Sequence, residues 1–210
     1  MKRTLMVLML LVTLAAFAAP VGAAPRKDGK PDGGSLSYGE YGRPATLDPI
    51  TSNEMISLRI TELIFNGLVG INEKQELVPE LAARWEGSKD GRTYTFFLRK
   101  DVTWHPREGE APKPFTADDV IFTYKVMTHP RTITPLKVRY EFIDTVEKVD
   151  DYTVRFTLKR PVLNALAKFS FKIIPKHGPA NQNFLTRDDP FVQHPIGTGP
   201  YMFKTVTPER

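Results

Sequence analysis

Two stretches of alternating residues constrain the fold more than any other feature of the sequence. Between residues 93 and 99, Tyr94, Phe96 and Leu98 fall on one side of an extended chain, and between 152 and 158 every second residue is apolar. Successive side chains of a strand point to opposite faces, so each stretch predicts a strand with one buried face. The pair Asp150-Asp151 is a turn signal, and 142–158 is therefore predicted to form a hairpin.

Two other segments have the spacing of amphipathic helices. Between residues 56 and 64 the apolar residues recur every three or four positions. Ser52 or Asn53 is expected to cap this helix, because both types accept hydrogen bonds from free backbone N–H groups, with Glu54 in the first turn. Asn66-Gly67 predicts a left-handed stop after it.

A second helix is predicted to begin at Thr116, where Thr-x-x-Asp resembles a capping box. Pro130 ends it, since proline lacks the N–H that a helix interior needs. Its expected buried stripe is Val120, Ile121, Tyr124 and Met127. Strands and helices are interspersed without a repeat, which predicts an α/β fold of the mixed α+β kind.

Weaker patterns predict the remaining elements. One or two helical turns are expected over 79–85 and a third, short helix over 163–169. Short strands are expected at 36–40, at 68–71, around Val102 and Trp104, at 171–174 and at 201–206.

The first 23 residues resemble an export signal. Lys2 and Arg3 precede an uncharged apolar run from 5 to 19, and Val21-Gly22-Ala23 has the small residues of a cleavage site. We expect cleavage after Ala23, with Ala18 as a second possibility and an uncleaved anchor as the alternative. Residues 24–35 are rich in Pro, Gly, Lys and Asp and are expected to be a flexible tail. A periplasmic or otherwise extracytoplasmic location follows.

Composition argues against several functions. The chain has no cysteine, which excludes disulfides, thiolate metal sites and a cysteine-linked lipid anchor. Removing Lys2 and Arg3 lowers the net charge from +5 to +3, and no basic run is interleaved with aromatic residues, so no nucleic-acid partner is expected. The four histidines are too far apart for a local metal-ligand pair, and no hydrolase or phosphate-loop motif occurs. We expect no enzyme activity, no metal and no cofactor.

A series of short motifs follows one order along the chain. They are Thr46-Leu47-Asp48-Pro49, Phe65-Asn66-Gly67-Leu68-Val69, Pro79-Glu80-Leu81-Ala82 with Trp85, Asp90-Gly91 through Trp104-His105, Pro114-Phe115-Thr116-Ala117-Asp118-Asp119-Val120, and Pro195-Ile196-Gly197-Thr198-Gly199-Pro200-Tyr201. In this order they resemble family 5 of the extracellular solute-binding proteins, the receptors of peptide and nickel ABC importers. The resemblance covers residues 36–206, and the loop 106–112 is longer here than is usual in the family.

The resemblance implies a two-lobe clamp of the type II periplasmic-binding-protein kind. Residues 36–51 and 167–210 would form part of the first lobe, and 52–166 an inserted subdomain special to the family. Chains of the family are more than twice as long, so we expect a truncated or split reading frame that lacks the second lobe. We therefore expect these 210 residues alone to bind ligand poorly or not at all.

Function and partners also follow from the resemblance. The chain is expected to deliver peptides or related solutes to an inner-membrane ABC permease with two transmembrane subunits and their ATPases, and to be monomeric when complete. By position, Ser52, Asn53, Glu54 and Met55 are the candidate ligand-binding residues. The open alternatives are a secreted hydrolase and a periplasmic sensor or chaperone with the same fold.

Overall fold

A four-stranded antiparallel sheet organises the part of the chain that the computed structural model describes, residues 37–206. The elements in chain order are α1 (Met55–Ile64), β1 (Val69–Ile71), β2 (Leu77–Pro79), β3 (Ala82–Gly87), β4 (Thr93–Leu98), α2 (Ala117–Thr128), α3 (Leu136–Arg139), β5 (Ile143–Asp150), β6 (Thr153–Leu158), a 3₁₀ helix (Ala165–Ser170) and α4 (Pro190–Gln193). The strand order of the sheet is β3-β4-β6-β5, and β1 and β2 form a separate antiparallel pair.

The alternating stretches form the two central strands, as predicted. Phe96 of β4 and Phe156 of β6 are fully buried, and their ring centroids lie 5.7 Å apart. Phe169 of the 3₁₀ helix packs against both rings, at 4.8 and 4.7 Å. Rings at these distances and tilts stabilise a core beyond the area that they bury. The predicted hairpin is confirmed, with β5 paired to β6 along its length.

Helix α2 packs against β5 and β6, and its predicted start at Thr116 is confirmed. The Asp119 carboxylate accepts a hydrogen bond from the Thr116 N–H at 2.9 Å, which satisfies one of the free donors of the first turn. Val120 and Met127 of the predicted stripe are fully buried, whereas Ile121 and Tyr124 are half-buried. His129 is the C-cap, just before Pro130.

Several weaker predictions were wrong. Residues 82–87 form strand β3 rather than a helix, because they pair with β4 in a register that sets Trp85 opposite Phe96. Residues 37–41, 171–174 and 201–206 form no strand, and Thr103 makes only an isolated bridge to Pro114. Residue 36 and the predicted signal and tail lie outside the described residues. Between residues 37 and 206, no helix has the length and apolar character that a membrane span requires.

The predicted left-handed stop at Gly67 was also wrong. Helix α1 ends at Ile64, its C-cap Phe65 has extended backbone, and Gly67 is not among the described glycines with positive φ. Gly67 is needed for a different reason, since a Cβ there would lie 2.8 Å from the Ser170 carbonyl oxygen. The predicted Asp90-Gly91 turn is confirmed, with Gly91 at φ 67°.

Candidate functional site

A groove of about 680 Å³ lies between two segments that are distant in the chain. One wall comes from the loop before α1. The other wall comes from Arg187, Val192, Gln193 and Val206. Asn53 is the predicted binding residue that lines this groove. The other lining residues are Arg43, Pro44, Ala45, Thr46, Leu47, Thr51, Arg187, Val192, Gln193 and Val206.

The buried Asp48 carboxylate shapes the first wall. It accepts hydrogen bonds from the backbone N–H of Ile50 at 2.8 Å and of Thr51 at 3.1 Å, and from the Thr51 hydroxyl. Burial raises the pKa of Asp48, because the loss of hydration outweighs these hydrogen bonds, and the negative charge of Asp189 acts in the same direction. The turn over 48–51 is therefore closed by Asp48 from inside the protein.

Glu54 fastens the same wall to α1. Glu54 is the N-cap, so the prediction of Ser52 or Asn53 as the cap was wrong. Its carboxylate accepts from the N–H of Ser57 at 2.7 Å, of Ile56 at 2.9 Å and of Ala45 at 3.2 Å. The side-chain hydroxyl of Ser57 is the main cause of the lowered pKa of Glu54, and the backbone N–H groups of Ala45, Ser57 and Ile56 act in the same direction. Because Glu54 binds Ala45 as well as the helix start, it holds the loop of the first wall against α1.

The four predicted residues have different environments. Asn53 is exposed in the groove, while Ser52 is buried and its hydroxyl has no hydrogen-bond partner among the described residues. The Glu54 carboxylate is occupied by the hydrogen bonds that cap the start of α1. Met55 is 57% exposed and is not part of the groove lining. The structure therefore brings one of the four predicted residues, Asn53, to the groove.

Asp189 builds the second wall. It caps the short helix α4, accepting from the N–H of Phe191 at 2.9 Å and from that of Ala180 at 3.0 Å. Phe191 is fully buried and meets Phe65 edge-on at 6.2 Å, which anchors α4 in the core. Val192 and Gln193 of this helix then line the groove.

Sequence reasoning missed Arg43, Arg187 and Gln193 as groove residues. Arg187 is exposed and forms no ion pair with any residue between 37 and 206. An unpaired guanidinium beside amide side chains can bind a carboxylate by two parallel hydrogen bonds. Asp189-Pro190, an N-cap followed by proline at the first helical position, is the local signal that could have located this wall.

Comparison with known proteins places this fold among the type II periplasmic binding proteins. NikZ from Campylobacter jejuni, solved in complex with Ni(L-His), superposes with a TM-score of 0.67 at 34% identity, over 79% of this chain and 32% of that one. AppA from Bacillus subtilis, solved with a nonapeptide, gives a TM-score of 0.66 at 29% identity, over 80% of this chain and 33% of that one.

The sequence comparisons identify the family. The model for bacterial extracellular solute-binding proteins, family 5 Middle, matches residues 76–210, and the chain belongs to this family. The oligopeptide-binding protein AppA of Bacillus subtilis is 32% identical over 97% of this chain, and the dipeptide-binding protein of Escherichia coli is 34% identical over 81%. The chain spans 39% and 35% of the length of these two relatives.

Proposed function

We propose that this chain is part of an extracytoplasmic receptor that captures a small peptide, or a chemically related solute, for an ABC importer. The proposal includes export by the signal over residues 1–23. It also includes delivery to a membrane permease of two transmembrane subunits with their ATPases. No reaction is catalysed; the protein binds the solute and releases it to the permease.

The observation that carries the proposal is the composition of the groove. Asn53 and Gln193 offer amide donors and acceptors, which match the backbone groups of an extended peptide. Arg187 offers a guanidinium group, which matches a terminal or side-chain carboxylate. A volume of about 680 Å³ is in the range typical of small-molecule sites.

The groove also supports the proposed domain division. We propose that residues 36–51 and 167–210 belong to the first lobe and that 52–166 form an inserted subdomain. In support, ten of the eleven groove-lining residues lie within 43–51 or 187–206, which are more than 130 positions apart in the chain, and Asn53 lies at the start of the proposed subdomain. The four-stranded sheet lies wholly within 82–158, inside the proposed subdomain.

The relatives bind several kinds of solute, peptides among them. They include binding proteins for oligopeptides, dipeptides and heme, and a solved structure with a nickel–histidine complex. An arginine and amides in one groove favour a peptide-like solute with a carboxylate over an uncharged one.

The alternatives have less support. For a hydrolase, none of the described groove-lining residues is a histidine or a carboxylate, and the Thr51 hydroxyl is already bonded to buried Asp48. A sensor with the same fold would bind solute but feed no importer. A permease gene beside this one distinguishes the receptor from the sensor.

Peptide uptake by living cells tests the proposal. Cells lacking the gene should take up labelled di- and tripeptides several-fold more slowly, and the gene should restore the rate. The Asn53→Ala variant should restore less, because it removes an amide from the groove, whereas Asn183→Ala, at an exposed residue that is not part of the groove lining, should restore fully. Unchanged peptide uptake in the deletion strain, with a peptide-dependent transcriptional response lost instead, would support the sensor.

A further inference from the structure

A second pocket, which shares no lining residue with the groove, contains an unusual concentration of positive charge. Its volume is about 430 Å³. Four of its eight lining residues are basic and one is acidic. They are Arg139, Lys159, Arg160 and Lys168, with Glu141, Val138, Phe142 and Val162.

Phe142 organises the pocket. Its carbonyl accepts a hydrogen bond from the Lys159 N–H at 2.9 Å, which joins the start of β5 to the end of β6. The Lys168 ammonium lies 5.9 Å from the centre of the Phe142 ring, within reach of a cation–π attraction. Arg139 approaches from α3 and contacts the hydroxyl of Tyr140. Separate elements thus bring the cations to one concavity.

These charges are not neutralised within the described chain. None of the four forms an ion pair with a residue between 37 and 206, and Glu141 is bonded to none of them. Elsewhere basic side chains do pair, as Arg99 does with Asp101 and Lys172 with Glu62. A concave site with net positive charge concentrates anions from solution.

One exposed aliphatic side chain lines the pocket, and a second follows a lining residue in the chain. Val138 lines the pocket and is 73% exposed, and Leu163, which follows the lining residue Val162, is 86% exposed. Cations next to exposed aliphatic groups are the combination that binds a membrane surface, where the cations meet lipid phosphates and the aliphatic groups enter the interface. A soluble phosphate would use the cations and leave the aliphatic groups without a role.

We infer that this pocket binds the phosphate headgroups of anionic membrane lipids and so holds the protein against the membrane surface. The inference does not depend on the groove or on the identity of the solute. Each Lys or Arg near an anionic surface contributes about 1 kcal/mol, which is about fivefold in affinity.

The experiment is co-sedimentation of the full chain with vesicles. One set is phosphatidylcholine alone, and the other contains roughly one third phosphatidylglycerol. The pocket variant combines Lys159→Gln, Arg160→Gln and Lys168→Gln. The matched control combines Lys74→Gln, Lys89→Gln and Arg107→Gln, which removes the same charge from exposed residues outside the pocket. Any contribution of residues 1–23 is common to all three proteins.

We expect the unaltered chain to bind the anionic vesicles more tightly than the neutral ones. The pocket variant should lose on the order of 100-fold, and the control should stay within a few-fold of the unaltered chain. Circular dichroism should show the same fold in all three proteins. Equal losses in the pocket variant and the control would overturn the inference, because binding would then follow net charge alone. If calorimetry shows that the chain binds inorganic phosphate and co-sedimentation shows no preference for anionic vesicles, the pocket binds a soluble phosphate and the inference of a lipid headgroup is wrong.

Discussion

Buried aspartates do much of the positioning at the residue scale. Asp48, Asp119 and Asp189 are each at least 95% buried, and each accepts hydrogen bonds from the backbone of a neighbouring loop. Burial raises the pKa of Asp119 as it does that of Asp48, because desolvation exceeds the effect of its hydrogen bonds. A buried acceptor of this kind fixes loops whose backbone N–H groups have no hydrogen-bond partner in a helix or a sheet.

Asp119 offers the sharpest test of this role. Its carboxylate accepts from the Trp104 indole N–H at 3.2 Å, the Thr116 N–H at 2.9 Å and the Lys176 N–H at 2.8 Å. Asp119→Ala leaves three donors without this acceptor, and we expect a loss of about 3 kcal/mol in the free energy of unfolding. Urea denaturation monitored by tryptophan fluorescence measures it.

The neighbouring carboxylate is the matched control. Asp118 is half-exposed and pairs with Lys148 at 3.0 Å, an arrangement that contributes about 0–1 kcal/mol. Asp118→Ala should therefore change stability by less than about 1 kcal/mol. Similar losses in the two variants would mean that the Asp119 hydrogen bonds do not hold the loops together.

Residue types also limited what could be predicted about the site. Asn53 could be singled out from the sequence because it lies just after the Leu-Asp-Pro motif. The cap could not, since Glu is an unusual N-cap and the adjacent Ser52 and Asn53 are favoured types. Glu54 serves because its longer side chain also reaches the Ala45 N–H, a contact that only the folded loop creates.

At the scale of elements, the motif Gly197-Thr198-Gly199 acts as a clamp on the end of α1. The Gly199 N–H donates to the Ile64 carbonyl at 2.8 Å, and the Gly197 carbonyl accepts from the His105 N–H at 2.9 Å. A Cβ on Gly197 would lie 1.8 Å from the Ile64 oxygen. These glycines therefore allow a close approach of backbones rather than a catalytic or phosphate-binding role.

Gly197→Ala tests the clamp. The added methyl group meets backbone rather than a movable side chain, so we expect a loss of about 3 kcal/mol or more in the free energy of unfolding. Gly39→Ala is the control, because nothing lies within 4 Å of the added methyl group, and it should stay within about 0.5 kcal/mol. Chemical denaturation of both variants measures the difference, and a Gly197→Ala protein as stable as the parent would rule out the close approach.

Elements were predictable where their signal is local. The period-two pattern was enough to predict β4 and the β5–β6 hairpin, and the Thr116 cap was enough to predict the start of α2. Residues 79–85 contain Glu, Leu, Ala and Arg, which favour a helix, yet pairing with β4 makes 82–87 a strand. Arg187 and Gln193 could not be assigned to the groove from the sequence, because only the tertiary fold brings them into the same groove as Asn53.

At the scale of the whole molecule, enclosure decides affinity. Sites for small ligands bury most of the ligand surface, commonly 70–90% of it. The groove presents residues from two segments of this chain, and the chain spans 39% of the Bacillus subtilis relative and 35% of the Escherichia coli relative. If the ligand is enclosed between two lobes, these 210 residues alone supply one face and bind with a Kd of about 1 mM or weaker.

The central claim, that the groove is the solute-binding surface, is tested most directly by two-dimensional ¹⁵N NMR during titration with tri-alanine. The account predicts fast-exchange shifts confined to residues 43–53 and 187–193, with millimolar affinity. Amidation of the peptide carboxyl should reduce the chemical-shift change at Arg187 and leave the changes near Asn53 as they were. Shifts centred outside these segments, or none at saturating peptide, would contradict the claim, and micromolar affinity would contradict the need for a second face.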